Sequence, residues 1–355
     1  MGRKTRLSRA AAVKVPPVRP FVAAASARMV SWTGGTALLV VLVASAWAGP
    51  ARADPMSTSP EQAYDQGEVP TPRALGMGGA LNALGVSTAA LFLNPANMAL
   101  ARVYHLEGLA AYSPEARRQT YGLAIVDSVL NSAHIAGGLG GTWNEFDPSG
   151  IHRTWTDVRA AVALPLGDHL SLGGAVRWLR VNQDPGVGPF GTSYASDGAN
   201  GPLLNALTLD AGATVSLLDG LRIAVVGHNL TNPGTALAPI TGAAGVGYFT
   251  PTFAIEGDGS LDFTTWGSAR GRLMVGGELF AADRYALRAG WRYDAGTKIN
   301  SPSIGFGYID PHWSIEIGLR RDLLSEHAET LGSLSLRYFY DAAGTGAPDQ
   351  NEILQ

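Results

Sequence analysis

The 355-residue chain contains no cysteine. Disulfides are therefore excluded, and so is the thiol that a bacterial lipoprotein acylates after cleavage, which rules out peripheral anchoring by lipid. Acids are absent from residues 1–53, although that stretch holds eight of the 26 basic residues: Arg3, Lys4, Arg6, Arg9, Lys14, Arg19, Arg28 and Arg52. The remainder has 18 bases against 29 acids, a balance of −11 that argues against a nucleic-acid partner. Lysine is nearly missing beyond residue 53, where Lys298 stands alone. Long apolar runs are missing too. After residue 53 no run reaches the 18 residues of a spanning helix, so any membrane-spanning form must be a closed barrel, the other structure that satisfies every backbone hydrogen bond in lipid.

The basic leader carries Thr36–Ala48, an apolar run of 13 residues, then Gly49, Pro50 and the small-x-small triplet Ala51-Arg52-Ala53. That run is shorter than the ~20 residues a bilayer requires, and the triplet is a cleavage site, so residues 1–53 are read as a secretory signal peptide. Met29 offers a second start, at the loss of most of the positive n-region. Residues 54–73 lack periodicity and form an extended arm. From Ala74 to Ala101 the composition turns to Ala, Leu, Gly and Asn, with a short helix expected around Val86–Phe92 and a second start at Asn94-Pro95. Asn suits the cap there, and Pro the first helical position.

From Arg102 to Tyr340 the period becomes two. Trp313, Ile315, Ile317 and Leu319 alternate with Ser314, Glu316, Gly318 and Arg320; Tyr285, Leu287, Ala289, Trp291 and Tyr293 alternate with Arg288, Gly290 and Arg292. Leu207–Leu217 and Ile304–Tyr308 repeat the pattern. Turn residues part these runs at Pro165–Asp168, Asp219-Gly220, Ala282-Asp283, Asp294–Gly296 and Asp310-Pro311. Marking strands between them yields about fourteen, the break between Tyr248 and Phe263 being the least distinct. That leaves about 17 residues for each strand and turn, as membrane strands require. Gln183–Pro202, rich in Gly, Pro, Asn and Ser, reads as a long exposed loop. A soluble sandwich would also alternate, but its polar face would carry Lys and Glu toward water. Here that face is Gly, Ala, Ser and Thr with scattered Arg, Asp and Glu, which suits a confined lumen. Trp178, Tyr285, Trp291, Tyr293, Trp313, Tyr338 and Tyr340 sit near strand ends, where an interfacial girdle places aromatics. The fold class expected is all-β: a transmembrane antiparallel barrel over 102–340, preceded by the signal peptide (1–53) and a pre-barrel segment (54–101), and followed by a polar tail (341–355).

Little in this chain points to catalysis. Gly76-Met77-Gly78-Gly79 has no preceding strand and lacks the later glycine of a dinucleotide loop. The seven histidines, His105, His134, His152, His169, His228, His312 and His327, show no metal-ligand spacing, and nothing local orients a nucleophile. No enzyme activity, metal or cofactor is therefore expected. Charges on the inner face, such as Asp210, Arg288, Glu316 and Arg320, are expected to pair inside the barrel.

Arg73-Ala74-Leu75-Gly76-Met77-Gly78-Gly79-Ala80, followed by Ala89–Met98 with Asn94-Pro95-Ala96 at its centre, resembles the start of the FadL-like superfamily of outer-membrane proteins. That superfamily includes the long-chain fatty-acid transporters and the PorV-type proteins. Tyr285–Tyr293 is similar to a late strand of the family, and Gly227–Asn232 to a mid-barrel Asn-Leu signature of the PorV branch. The resemblance covers nearly all of 70–340. It implies a fourteen-stranded barrel whose pre-barrel segment folds inside the lumen as a hatch, with Gly76, Gly78, Gly79, Asn94, Pro95 and Ala96 as its hatch and gating residues. The implied function is passive uptake of hydrophobic small molecules such as long-chain fatty acids. The alternative is a PorV-like scaffold that holds a secreted or surface-attached protein. Outer-membrane lipid is the surrounding partner in both. Two departures stand out: Leu93 replaces the aromatic common before the Asn, and the chain runs 15 residues past Tyr340 instead of ending on a terminal aromatic.

Overall fold

The computed structural model describes residues 68–129, 134–146, 153–183, 187–188, 191–192, 202–323 and 328–340. The expected signal peptide, most of the arm, much of the 183–202 loop and the tail lie outside the described residues. Two short helices come first, α1 (Pro72–Gly76) and α2 (Ser87–Leu93), then a 3-10 turn (Pro95–Ala99). The strands follow as β1 (Tyr104–Ser113), β2 (Arg118–Asp127), β3 (Ala136–Phe146), β4 (Arg153–Leu166) and β5 (Leu170–Gln183). A two-residue pair, β6 (Val187–Gly188) and β7 (Gly191–Thr192), interrupts the series. It resumes with β8 (Leu204–Leu218), β9 (Leu221–His228), β10 (Thr241–Phe249), β11 (Phe253–Asp262) and β12 (Arg270–Ala281). The last four are β13 (Tyr285–Asp294), β14 (Ile299–Ile309), β15 (Trp313–Arg321) and β16 (Thr330–Phe339).

All but β6 and β7 form one closed antiparallel barrel of fourteen strands. Each strand pairs with its sequence neighbours, β5 pairs directly with β8, and β16 closes on β1 with His105 opposite Phe339 and Tyr112 opposite Gly332. The indistinct stretch after Tyr248 resolves into β10 and β11, joined by residues 250–252. Among the described residues no helix is long and apolar enough to cross a membrane.

Alternation produces a protein whose greasy side is outside. Leu123, Leu207, Ile304 and Leu336 are 58–69% exposed, whereas Arg159, Glu256, Glu278 and Glu316 are at most 2% exposed. Such an arrangement is untenable in water, where a contiguous apolar wall of this extent seeks cover. In a bilayer the strands turn the same residues to lipid, and closure leaves no edge unpaired. Aromatics band both ends. Tyr104 and Tyr340 (5.3 Å between centroids), Tyr308 and Trp313 (5.3 Å) and Tyr285 and Tyr308 (5.6 Å) meet at one, while Tyr121 and Trp143 (6.1 Å) and Trp291 and Tyr293 (6.2 Å) meet at the other. The first end carries the turns 167–169, 219–220, 250–252, 282–284 and 310–312, and the second the longer connections such as 229–240. Short turns mark the periplasmic side of an outer-membrane barrel; the chain enters and leaves the barrel there, at Tyr104 and Phe339.

Candidate functional site

The space inside the wall is occupied by residues 68–101. Their first turn is built on glycine: Gly78 and Gly79 adopt φ of +68° and +90°, a region open to glycine at no steric cost, and the Gly79 N–H donates to the Ala74 carbonyl at 2.8 Å. This turn presses backbone to backbone against the wall. A Cβ on Gly290 would lie 2.2 Å from the Gly78 nitrogen, and one on Gly78 would lie 2.6 Å from the Trp291 nitrogen. Gly276 receives Met77 in the same way (2.4 Å), and Gly318 receives the Pro72 carbonyl (2.6 Å). On the far wall Gly173 faces Ala96 (2.2 Å) and Gly212 faces the Asn94 side chain (2.0 Å). These inward glycines of the barrel are thus the footprint of the segment.

Polar bonds fasten what the glycines admit. On β11 the Asp258 carboxyl accepts from the N–H groups of Leu81 (2.9 Å) and Asn82 (3.0 Å) and from the Asn82 side chain (2.9 Å). Its neighbour on the same face, Glu256, accepts from the N–H groups of Ala83 (2.5 Å) and Leu84 (2.9 Å). Four successive backbone donors that have no helix or strand to satisfy them are in this way held by two wall carboxyls. Asn94 caps the 3-10 turn, its Oδ1 accepting from the Ala96 N–H (3.2 Å), while its Nδ2 donates to the Asn82 carbonyl (2.9 Å) and to Thr214 on β8 (3.0 Å). Asn97 donates to the same Asn82 carbonyl at 2.8 Å. Ser171 donates to the Ala96 carbonyl (2.6 Å), and Arg159 to that of Phe92 (2.8 Å).

Two charge networks surround the segment, and of the expected inner-face charges Asp210, Arg288 and Glu316 fall within them, whereas Arg320 lies by Glu68 (3.8 Å) and Asp322 (4.0 Å). In the first, Arg73 meets Glu278 (2.8 Å), Glu278 meets Arg288 (2.5 Å), Arg288 meets Glu316 (2.6 Å), and Arg337 bridges Glu316 (3.3 Å) and Glu107 (3.1 Å). Glu107 also accepts from Thr88, so the segment joins this network at two points. In the second, Asp157 holds Arg159 and Arg177 (2.9 Å each), Asp210 holds His228 (3.1 Å), and Asn229 links the two by accepting from Arg177 (2.9 Å) and donating its N–H to Asp210 (2.8 Å). Alternating charges of this kind satisfy one another where burial would otherwise penalise each. Ser87 Oγ and His105 Nδ1 approach to 2.5 Å, and neither lines the two cavities described below.

Of the residues the sequence singles out, Gly76, Gly78 and Gly79 lie against β12–β14, and Asn94, Pro95 and Ala96 against β5 and β8. The two groups stand on nearly opposite walls, joined through Asn82, which bonds to both Asp258 and Asn94. Sequence reasoning missed Asn82, Glu256 and Asp258. The signal was present, since the two acids recur at period two within Phe253–Asp262, but nothing in it told what they hold.

The segment divides two cavities. One of about 170 Å³ opens toward the long loops; Leu75, Gly79, Asn82 and Phe92 border it below, and Arg118, Arg177, Arg272 and Arg320 line its wall. The other, of about 300 Å³, lies toward the short turns and is bordered by Arg73, Leu84 and the 219–220 and 250–251 turns. Glu68, at the head of the segment, bonds to Arg272 and Arg292 on the loop side.

No family model matches this chain, and no curated protein matches it. Solved structures do. The CymD monoaromatic hydrocarbon channel superposes with a TM-score of 0.60 at 16% identity, over 77% of this chain and 98% of that one. A Pseudomonas aeruginosa FadL homologue gives 0.53 at 15%, over 77% and 99%. The Pseudomonas putida toluene transporter TodX gives 0.52 at 13%, over 75% and 96%. With fourteen strands in one closed ring and a wall that turns its apolar face to lipid, the chain has the fold of the FadL-like outer-membrane barrels.

Proposed function

We propose that this protein is a passive outer-membrane channel for hydrophobic small molecules, long-chain fatty acids among them, and that residues 68–101 are its hatch. The observation that carries the reading is the division of the lumen into two cavities by a segment fastened through hydrogen bonds and ion pairs, all of which can exchange with water or with a ligand. Gly76, Gly78 and Gly79 are the hatch residues that let it seat without side-chain interlock, and Asn94, Pro95 and Ala96 fix its fold. The similar structures support the reading, being described as a monoaromatic hydrocarbon channel and a toluene transporter. Fourteen strands enclose more space than the eight-stranded barrels that side chains alone fill, and the hatch fills the difference.

A scaffold for a secreted or surface-attached protein is the second reading, favoured by the Gly227–Asn232 signature. Asn229 is 4% exposed and its side chain is spent on Arg177, Thr208 and the Pro239 carbonyl. Its φ of +55° belongs to the turn that ends β9. A wall network accounts for this signature without a partner, so the channel is preferred. Deletion of residues 74–101 separates the two: single-channel conductance in planar bilayers should rise well above that of the intact barrel. Equal conductance of an assembled, heat-modifiable deletion variant leaves the scaffold as the better reading.

A further inference from the structure

Most inward-facing arginines in this barrel have carboxylates. Arg73, Arg159, Arg177, Arg288 and Arg337 each meet one at 3.1 Å or less. Arg118, buried over the Trp155 ring near the loop end, departs from this, and so does Arg222. It points inward from the turn end of β9 and is 7% exposed, with its guanidinium 4.6 Å above the Phe249 ring. Among the described residues it makes no hydrogen bond or ion pair. Glu256, the wall acid facing it across β10, is committed to the Ala83 and Leu84 N–H groups, and Asp219 is exposed on the adjoining turn. A guanidinium stays charged under all ordinary conditions, and burying a charge without a partner is expensive.

The space beside Arg222 is the turn-side cavity of about 300 Å³, whose other walls are chiefly Leu84, Tyr248, Phe249, Pro251, Ala254 and Phe280. The other polar residues of its lining are Arg73, which is held by Glu278, and Asp219 and Thr250 on the turns. Arg222 thus supplies the one uncommitted buried fork of donors, the pattern of a mainly apolar ligand site with a single orienting polar group. We propose that this chamber binds a small monocarboxylate with an apolar body. The carboxylate takes both guanidinium donors, the bidentate geometry that arginine offers and an ammonium does not, and the body packs on Phe249 and Phe280. One uncommitted positive charge matches one negative charge, so neutral hydrocarbons lack the anchor and dianions carry an excess. The chamber lies on the turn side of the segment, so its occupation does not depend on the hatch moving, and the site stands or falls separately from the channel reading.

The full barrel folded in detergent tests this directly by 19F NMR titration with 4-(trifluoromethyl)benzoate and its neutral analogue benzotrifluoride. Benzoate binding should be saturable, at least tenfold weaker in R222Q, and less affected in R222K, while benzotrifluoride should not distinguish R222Q from the parent. Because the chain lacks cysteine, T250C carrying a nitroxide places a probe on the chamber's rim, and the bound benzoate signal should broaden. Should R222Q not give the heat-modifiable band of a folded barrel, F280W, which crowds the wall on which the apolar body packs, should weaken binding instead. Equal benzoate affinity in the parent and in either variant overturns the site, as does non-saturable uptake, equal binding of benzotrifluoride, or absence of broadening.

Discussion

Removing the Asp258 carboxyl should free the middle of the segment while leaving the barrel closed. In D258A three donors lose their acceptor: the Leu81 and Asn82 N–H groups and the Asn82 side chain, at 2.9, 3.0 and 2.9 Å. At roughly 1.5 kcal/mol for each bond, between the values for neutral and charged acceptors, the gross loss is about 4.5 kcal/mol. Two effects reduce it. The cost of burying the carboxyl itself disappears, and Asn82 borders the loop-side cavity, so water can reach its donors. A net of about 3 kcal/mol remains, equivalent to a shift of about 100-fold in the equilibrium between docked and undocked segment. Amide hydrogen exchange in detergent reads this residue by residue. Protection at Leu81 and Asn82 should fall about 100-fold, whereas the ladder amides of β10–β12 keep theirs. D258N, which retains a neutral acceptor, should fall between. Unchanged protection at 81–82 would mean that the carboxyl does not hold the turn. Joint loss in the ladders would mean that the segment and the wall open as one unit, and the separable hatch would be refuted.

Two further outcomes test the wall. At Ile317, on the lipid face and 50% exposed, Ile317→Arg should cost about 2–4 kcal/mol of folding stability in vesicles, with Ile317→Met close to neutral; equal stabilities would reverse the facing of β15. At Gly290, a side chain must displace the Gly78 backbone 2.2 Å away, so Gly290→Val should cost about 1–3 kcal/mol, raise conductance and keep the heat-modifiable band, and unchanged conductance would show that this contact does not seat the segment.

Strand faces were legible because period two is a local property: Trp313, Ile315, Ile317 and Leu319 can be sorted from Ser314, Glu316, Gly318 and Arg320 without knowing their neighbours. Strand count followed from turn residues, and closure from the lack of any other way to satisfy the backbone in lipid. The docking of the segment was not legible. Gly78 meets Gly290 across 212 positions of sequence, and nothing near either residue names the other. Inward glycines such as Gly212, Gly290 and Gly318 look in sequence like a way to widen a lumen. In the structure they are contact sites whose missing side chains are replaced by the segment, by its backbone at Gly290 and Gly318 and by the Asn94 side chain at Gly212, whereas the atoms nearest Gly307 belong to Arg288, Glu316 and Ala286 of the wall. Glu256 and Asp258 likewise look like two more lumen charges in need of cations, but their partners are N–H groups, which every sequence position supplies and which therefore leave no trace in composition.

That choice of fastening bears on how such a segment could move. A plug that buried large side chains in the wall would open cavities on leaving, at several kcal/mol for each side chain. Glycine against backbone forms no such interlock, and the wall it leaves behind is flat. At these contacts the cost of undocking is mostly that of exchanging hydrogen bonds, about 0.5–1.5 kcal/mol each when water can replace the partner. The apolar residues buried in the segment, Leu81, Leu91 and Met98 among them, pack on other parts of the segment and on wall residues that include Gly138, Gly140, Leu109 and Val126, and exposing each adds about 1.5–3 kcal/mol to the cost. Backbone contact fixes where the segment sits, and polar bonds set how firmly. The two can vary independently: Gly290 governs the first and Asp258 the second, so D258A should loosen the segment in place, whereas Gly290→Val should shift its resting position.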